Sequence, residues 1–475
     1  MSLSKVLILI GAALIIRLAF SGKLRKWALL VTSVVAIYWL QPVLPIRNMD
    51  FWFPTATICL VFVIWGLSAE KTQLIEKKNL LAGILTSSTI LLIGLTRFVS
   101  LKGILTASHP PQVFQVLISL FIILTLGSLL TRLFKPYKEF LLGGIVLILL
   151  IFVVIKNPHL TRIASAGLRG LMNHNSDLAK PTDLSWLGFS YVAFRLIHTL
   201  LDRMNGRLKT IDLGELLVYT IFFPAFIAGP LDRLQNFRKE LENPKPLSPN
   251  ELFTSSKRIA LGLFRKFLIA DSLAFFAISA TNVLQVQKTG WLWLMLFACS
   301  FQIYFDFAGY TDMAIGLGQL TGFKLPENFN KPYRQTNLTL FWNNWHMSLT
   351  QWFRGYFFNP FTRNLRKRRK LPTPLIILIT QLSTFVVIGL WHGITWNFIA
   401  WGAWHGIGLF LQNRWSSCFS PKASQITQNR PALSTIVTIM SVLLTFLYVS
   451  LGWLWFVLPS PSLSAHIFVK LFGWT

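Results

Sequence analysis

The chain has 475 residues, 53% hydrophobic and only 13% charged, with a mean hydropathy of +0.55. A soluble domain carries about 25% charged residues, so the polar surface that a water-facing fold needs is half missing, and the deficit points to lipid. The net charge of +28, from 45 Lys and Arg against 17 Asp and Glu, reads as basic loops that flank apolar spans and face anionic lipid. A nucleic-acid partner is excluded, because no basic, aromatic-spaced soluble module is present.

Membrane helices need about 20 mostly apolar residues. In chain order, such stretches lie near 3–20, 27–44, 51–68, 80–97, 111–131, 139–156, 184–201, 259–282, 290–307, 372–391, 394–412 and 432–458. The first lacks a strong basic lead and a small-residue cleavage site, so it is expected to be a retained span. Residues 213–230 are broken by Pro224, Gly229 and Pro230 and are expected to dip into the membrane and return, which broken backbone can do only under cover of protein or a water-filled cavity. Residues 308–370, interrupted by Gly309, Pro326, Pro332 and Pro360, are expected to form short helices across one face of the bundle. The expected fold is all-α: a polytopic transmembrane bundle of about 11–13 spans with re-entrant and interfacial helices. By sequence pattern it divides into N-terminal helices (1–180), a core carrying the chemistry (181–415) and a C-terminal helix with its tail (416–475). No internal repeat is evident, which weighs against an inverted-repeat transporter. Cys59, Cys299 and Cys418 are too few and too scattered for a disulfide framework or a zinc site.

The basic loops are 21–26, 70–78, 132–138, 233–258 and 363–370, the last with six basic residues in eight. The positive-inside rule puts them in the cytoplasm. The 363–370 cluster serves topology, or else docks a phosphate-bearing donor or an acidic carrier protein.

Three histidines stand out. Residues 371–391 carry no charge, and as one helix they measure about 31 Å, one bilayer core. His392 closes that stretch, with Gly393 after it for a sharp turn or a close backbone approach. A neutral imidazole there suits a general base; an interfacial histidine bonded to a neighbouring helix is the equal alternative. His405 comes 13 residues later. If one helix carries both, they are about 20 Å apart, and His405 is then a packing or interhelical hydrogen-bond residue. His346 lies beside Trp342, Trp345, Leu349 and Phe353, which fall on one face of a continuous helix. It either completes an aromatic packing stripe or lines a cavity below His392. Asp306 and Asp312 need partners, with Arg354, Arg195 or loop backbone expected to supply them. No G-x-S-x-G, Walker A or H-E-x-x-H pattern occurs.

The stretches "FFPAFIAGPLDR" (222–233), "FQIYFDFAGYTDMAIGLGQLTGFKLPENFNKPY" (301–333), "LTLFWNNWHMSLTQWFR" (338–354) and "GLWHGITWNFIAWGAWHG" (389–406) resemble the bacterial branch of the membrane-bound O-acyltransferase family, in order and approximate spacing; "LGFSYVAFRLIHTLLD" (187–202) is a weaker match. Two features depart from the family: Asn343 and Asn344 stand where a basic pair is usual, and "NPFTRNLRKRR" replaces a glycine-rich end. The resemblance implies a multi-pass protein of the bacterial plasma (inner) membrane. It would pass an acyl group, acetyl first, from a cytoplasmic thioester (acetyl-CoA or an acyl-carrier protein) towards a hydroxyl of a secreted or envelope polysaccharide. An extracytoplasmic partner could complete the transfer, and no metal or tightly bound cofactor is implied. His392 and His346 are the implied catalytic residues, with Trp345, Asn344, Trp391, Trp396 and Asp306 supporting them or lining the tunnel. D-alanyl transfer from a carrier protein to a cell-wall polymer is the alternative activity, and transport without covalent chemistry is the non-enzyme alternative.

The orientation is directly testable. A cysteine placed at Asn364 should react with membrane-impermeant reagents only after cells are opened; labelling of intact cells would reverse the topology.

Overall fold

The computed structural model describes residues 2–99, 105–134, 136–367, 371–427 and 430–474, so Arg368, Arg369 and Lys370 of the basic cluster lie outside the described residues. The described elements are all helical, with no strand among them. The protein is a polytopic membrane helix bundle. Among the described residues, seven helices are long and apolar enough to cross a bilayer: Met49–Ser68, Lys77–Phe98, Val113–Leu133, Lys138–Lys156, Thr289–Leu320, Thr373–His392 and Pro431–Val457.

The other expected spans differ for local reasons. Leu3–Ala19 is 17 residues long and ends on the buried Arg17. Gly22–Leu40 opens with Lys23, Arg25 and Lys26. Phe189–Met204 buries Arg195, His198 and Asp202. The 213–230 stretch, expected to be broken and not to span, is helical over Leu213–Ile221 and stops at a 3-10 turn over Phe223–Ala225 that contains Pro224. The 259–282 stretch is divided among Pro249–Leu263, a π-turn at Phe264–Ala270 and the short helix Asp271–Ala274.

The chain packs into two compact units, Met1–Ala260 with Asp312–Pro326, and Leu261–Thr311 with Glu327–Thr475. These cut across the division at 180 and 415 that the sequence pattern suggested. In the first unit, Met49–Ser68 is the most enclosed of the apolar helices. Its Gly66 faces the Gly127 carbonyl of Val113–Leu133, and a Cβ there would sit 2.8 Å from that oxygen. Val113–Leu133 and Lys138–Lys156 leave Phe121, Ile122, Leu149 and Leu150 exposed, apolar faces that suit contact with lipid. Arg195 is buried and ties the broken segment in place, donating to the carbonyls of Thr220 (3.0 Å) and Ala225 (2.7 Å).

In the second unit, Thr373–His392 and Trp396–Thr427 form a tight helical hairpin. Gly389, Gly402 and Gly406 permit it: a Cβ at Gly389 would collide with the Phe398 carbonyl, one at Gly402 with the Phe385 carbonyl, and one at Gly406 would lie 2.8 Å from Leu382 Cα. This is the small-residue route to close helix approach where lipid offers no hydrophobic drive. Reciprocal bonds join the second arm to Pro431–Val457, Trp404 Nε1 donating to the Tyr448 carbonyl (3.1 Å) and the Tyr448 hydroxyl to the Trp404 carbonyl (2.5 Å).

Gly402→Leu should therefore destabilise the protein by roughly 1–3 kcal/mol or more, the usual cost of overpacking. Gly143→Ala, at an open helical position, should be nearly neutral. Thermal unfolding in detergent measures both.

Candidate active site

The backbone bends sharply at His346. Helix Leu338–Asn344, capped by Asn337 Oδ1 accepting from Leu340 N (2.8 Å), ends one residue before Trp345. Helix Met347–Phe353 starts after His346, which takes a left-handed conformation (φ 42°, ψ 53°). Continuous helix is thus replaced by two short ones, although Trp342, Trp345, Leu349 and Phe353 are all buried as expected. For a non-glycine residue the left-handed region is uncommon, and it concentrates at functional positions. Asn328 holds the bend: its carbonyl accepts from Met347 N (2.9 Å), and its Oδ1 accepts from Ser348 N (3.1 Å) and Ser348 Oγ (2.6 Å). Asn330 N adds a bond to the Asn344 carbonyl (3.1 Å). Asn328 is fully buried.

His346 is 4% exposed. Its ring stands edge-on to Phe307 (4.6 Å between centroids) and lies 6.1 Å from the Trp391 ring. Nε2 is buried with no hydrogen-bond partner among the described residues. Burial alone lowers the imidazole pKa to about 3, so the ring is neutral at physiological pH.

His392 is the last residue of Thr373–His392 and is half-buried. It packs on Trp391 (4.4 Å), Phe456 (4.8 Å), Trp401 (5.5 Å) and Phe398 (5.8 Å). Trp391 therefore touches both imidazoles. Gly393 has φ −179°, an extended conformation open to any residue; what excludes a side chain is the Phe398 ring, 2.7 Å from where a Cβ would be. His405 does not continue the helix of His392, because the hairpin turns between them. The expected separation of about 20 Å is lost, and both rings pack on Trp401. His405 is fully buried, 5.0 Å from the rings of both Trp342 and Trp401, and neither ring nitrogen has a hydrogen-bond partner among the described residues.

The remaining expected residues are spread unevenly. Trp345 is an aromatic hub, its ring 5.1–5.7 Å from those of Phe329, Trp453, Phe341 and Tyr333. Asn344 turns back to donate to the Leu340 carbonyl (2.8 Å). Trp396 is 74% exposed; it opens its helix facing outward and does not line a tunnel. Asp306 pairs with Lys266 and Asp312 with Arg258 (3.1 Å), in place of the expected Arg354 and Arg195. Arg354 instead donates to Asn343. Sequence reasoning missed Asn328, Trp401 and Phe456. Only Asn328 carried a signal, an amide in the "PENFN" stretch that the fold buries.

A cavity of about 190 Å³ opens beside this cluster, with Trp342, Phe385 and Ile388 as apolar walls and Asn343, Arg354 and Gln381 as polar groups. No carboxylate is in its lining. Among the described residues, no group of three His, Cys, Asp or Glu side chains could hold a metal ion. Neutral imidazoles in an aromatic, water-poor setting next to a cavity suit proton transfer during group transfer.

A multi-pass helical membrane protein with such a site falls among the membrane enzymes that transfer groups within the bilayer. The match is specific: residues 38–452 fit the model of the MBOAT, membrane-bound O-acyltransferase family. The chain belongs to that family and is an acyltransferase. It is 32% identical to a teichoic acid D-alanyltransferase of Streptococcus thermophilus, over 58% of this chain and 70% of that protein. It is 33% identical to a probable alginate O-acetylase, AlgI, of Azotobacter vinelandii, over 61% and 54%. It is 34% identical to a peptidoglycan O-acetyltransferase of Helicobacter pylori, over 53% and 46%.

Asn328→Ala should release the His346 bend and lower acyl transfer by about 10²-fold, the scale of a misplaced reacting group, while the protein still inserts and elutes as a single species. Asn343→Ala with Asn344→Ala should lower transfer less than His392→Ala does. Label transfer from a radioactive thioester measures both.

Proposed function

We propose that the chain acetylates a hydroxyl of a secreted or envelope polysaccharide, using a cytoplasmic thioester as donor, from the plasma (inner) membrane of a bacterium. The observation that carries this reading is the meeting of His346 and His392 on the Trp391 indole. In the reaction, the acceptor oxygen forms a bond to the thioester carbonyl carbon and the carbon–sulfur bond breaks. His392 takes the hydroxyl proton as that bond forms, and the proton passes to the departing thiolate. His346, neutral and with no partner for Nε2 among the described residues, assists by orienting the donor. The aromatic walls keep out water that would hydrolyse the acyl group. The donor is acetyl-CoA or an acyl-carrier thioester, and an extracytoplasmic protein could relay the group to the polymer.

Relatives named as D-alanyltransferases raise a second reading, in which the group carries an ammonium.

Polymer from a strain lacking the protein, examined by NMR, should lose acetyl ester and keep its D-alanyl content; the reverse result would select the second reading. Complementation with His392→Gln should restore about 10²- to 10⁴-fold less acetylation than wild type, because an amide keeps hydrogen bonding but takes up no proton. Near-normal acetylation by this variant would make the residue structural.

A further inference from the structure

The first compact unit holds a second cavity, of about 290 Å³, which the acyl-transfer reading does not use. It is assembled from the end of Leu3–Ala19, helix Leu234–Glu242 with the loop after it, the start of Pro249–Leu263, and the turn at 319–324. Arg17 lines it, and Arg25, outside the lining, meets the same turn at Gly322. Arg17, whose side chain is 1% exposed, donates through Nη2 to the Pro246 carbonyl (3.0 Å) and to Glu251 Oε2 (3.3 Å). Its Nε and Nη1 are buried without a hydrogen-bond partner among the described residues. Arg25, 4% exposed, donates through Nη2 to the Thr321 carbonyl, and its Nε is likewise buried and unpaired. Both guanidiniums crowd Gly322, where any Cβ would collide with Arg17 Nη1 and Arg25 Nη2; its φ of +85° independently requires glycine.

Two like charges forced together out of water repel and lose hydration. The carboxylate bonded to one of them, Glu251, has its side chain 46% exposed. The walls add Lys239, Lys245 and Lys324, while Glu240 is engaged by the Lys324 backbone N–H (2.9 Å). Cations therefore outnumber carboxylates around the cavity, and unspent N–H donors sit at its base.

We propose that this cavity binds a phosphate group, with Arg17 and Lys245 of its lining as the main donors. A phosphate matches the site because its several anionic oxygens can accept from the Arg17 guanidinium and from lysine ammonium groups at once. The group could belong to a thioester donor of the coenzyme A type or to the headgroup of an anionic phospholipid. The site stands whether or not the acyl-transfer reading is right.

Binding of pyrophosphate to the purified full-length chain in phosphatidylcholine nanodiscs, followed by calorimetry, tests it. Wild type should bind saturably. Arg17→Gln and Lys245→Gln should each weaken binding about tenfold or more, the loss of a charge-assisted contact, and Lys288→Gln, remote in sequence and absent from the lining, should not. Displacement of pyrophosphate by coenzyme A would assign the phosphate to the donor. Loss of pyrophosphate binding when phosphatidylglycerol is added to the discs would assign it to lipid. If Arg17→Gln does not fold, Lys245→Gln decides. No saturable binding by wild type, or undiminished binding by folded variants, overturns the proposal.

Discussion

The proposed site in the second unit depends on the bonds that Asn328 accepts from Met347 and Ser348. They hold His346 in a left-handed conformation that costs roughly 1–3 kcal/mol for a residue with a side chain. Three hydrogen bonds at about 0.5–1.5 kcal/mol each offset that cost. The result is an imidazole aimed between Phe307 and Trp391 with one nitrogen left open. A regular helix through this point would carry the ring onward at helical pitch, away from the orientation that the bend imposes.

The second constraint is steric. Gly389, Gly402 and Gly406 bring two helix backbones together, and the turn at Gly393 seats His392 against Phe398. Trp391, at the end of one arm, then faces His346, while Trp401, on the other arm, lies under both His392 and His405. Three histidines from distant sequence positions are thus joined through two indoles. Packed rings exclude water, and the same dryness that keeps His346 neutral would, in the proposed reaction, protect an activated acyl group.

Much of this was legible in the sequence. Long uncharged runs identified the apolar helices because lipid requires an unbroken internally bonded helix. The uncharged run read as a span over 372–391 located Thr373–His392 to within one residue at each end. What stayed hidden depended on tertiary bonds. The helical spacing of Trp342, Trp345, Leu349 and Phe353 gave no sign of a bend, because the bend is imposed from Asn328, far off in local sequence. The separation of His392 and His405 was misjudged because the turn between them is only three residues long, Gly393–Thr395. The family resemblance implied Trp396 as a supporting or tunnel-lining residue, yet at the first position of its helix it is exposed. The partners of Asp306 and Asp312 are basic residues roughly 40 to 54 positions earlier, a distance over which sequence carries no pairing signal.

The central claim is that His346 and His392 act as one site. A double-mutant cycle on single-turnover acyl transfer tests it, with His346→Gln, His392→Gln and the pair compared in the purified full-length protein. Residues working as a unit are strongly non-additive, so the pair should lose little more activity than the worse single variant. Losses that multiply would show that the two histidines act independently and contradict the shared site.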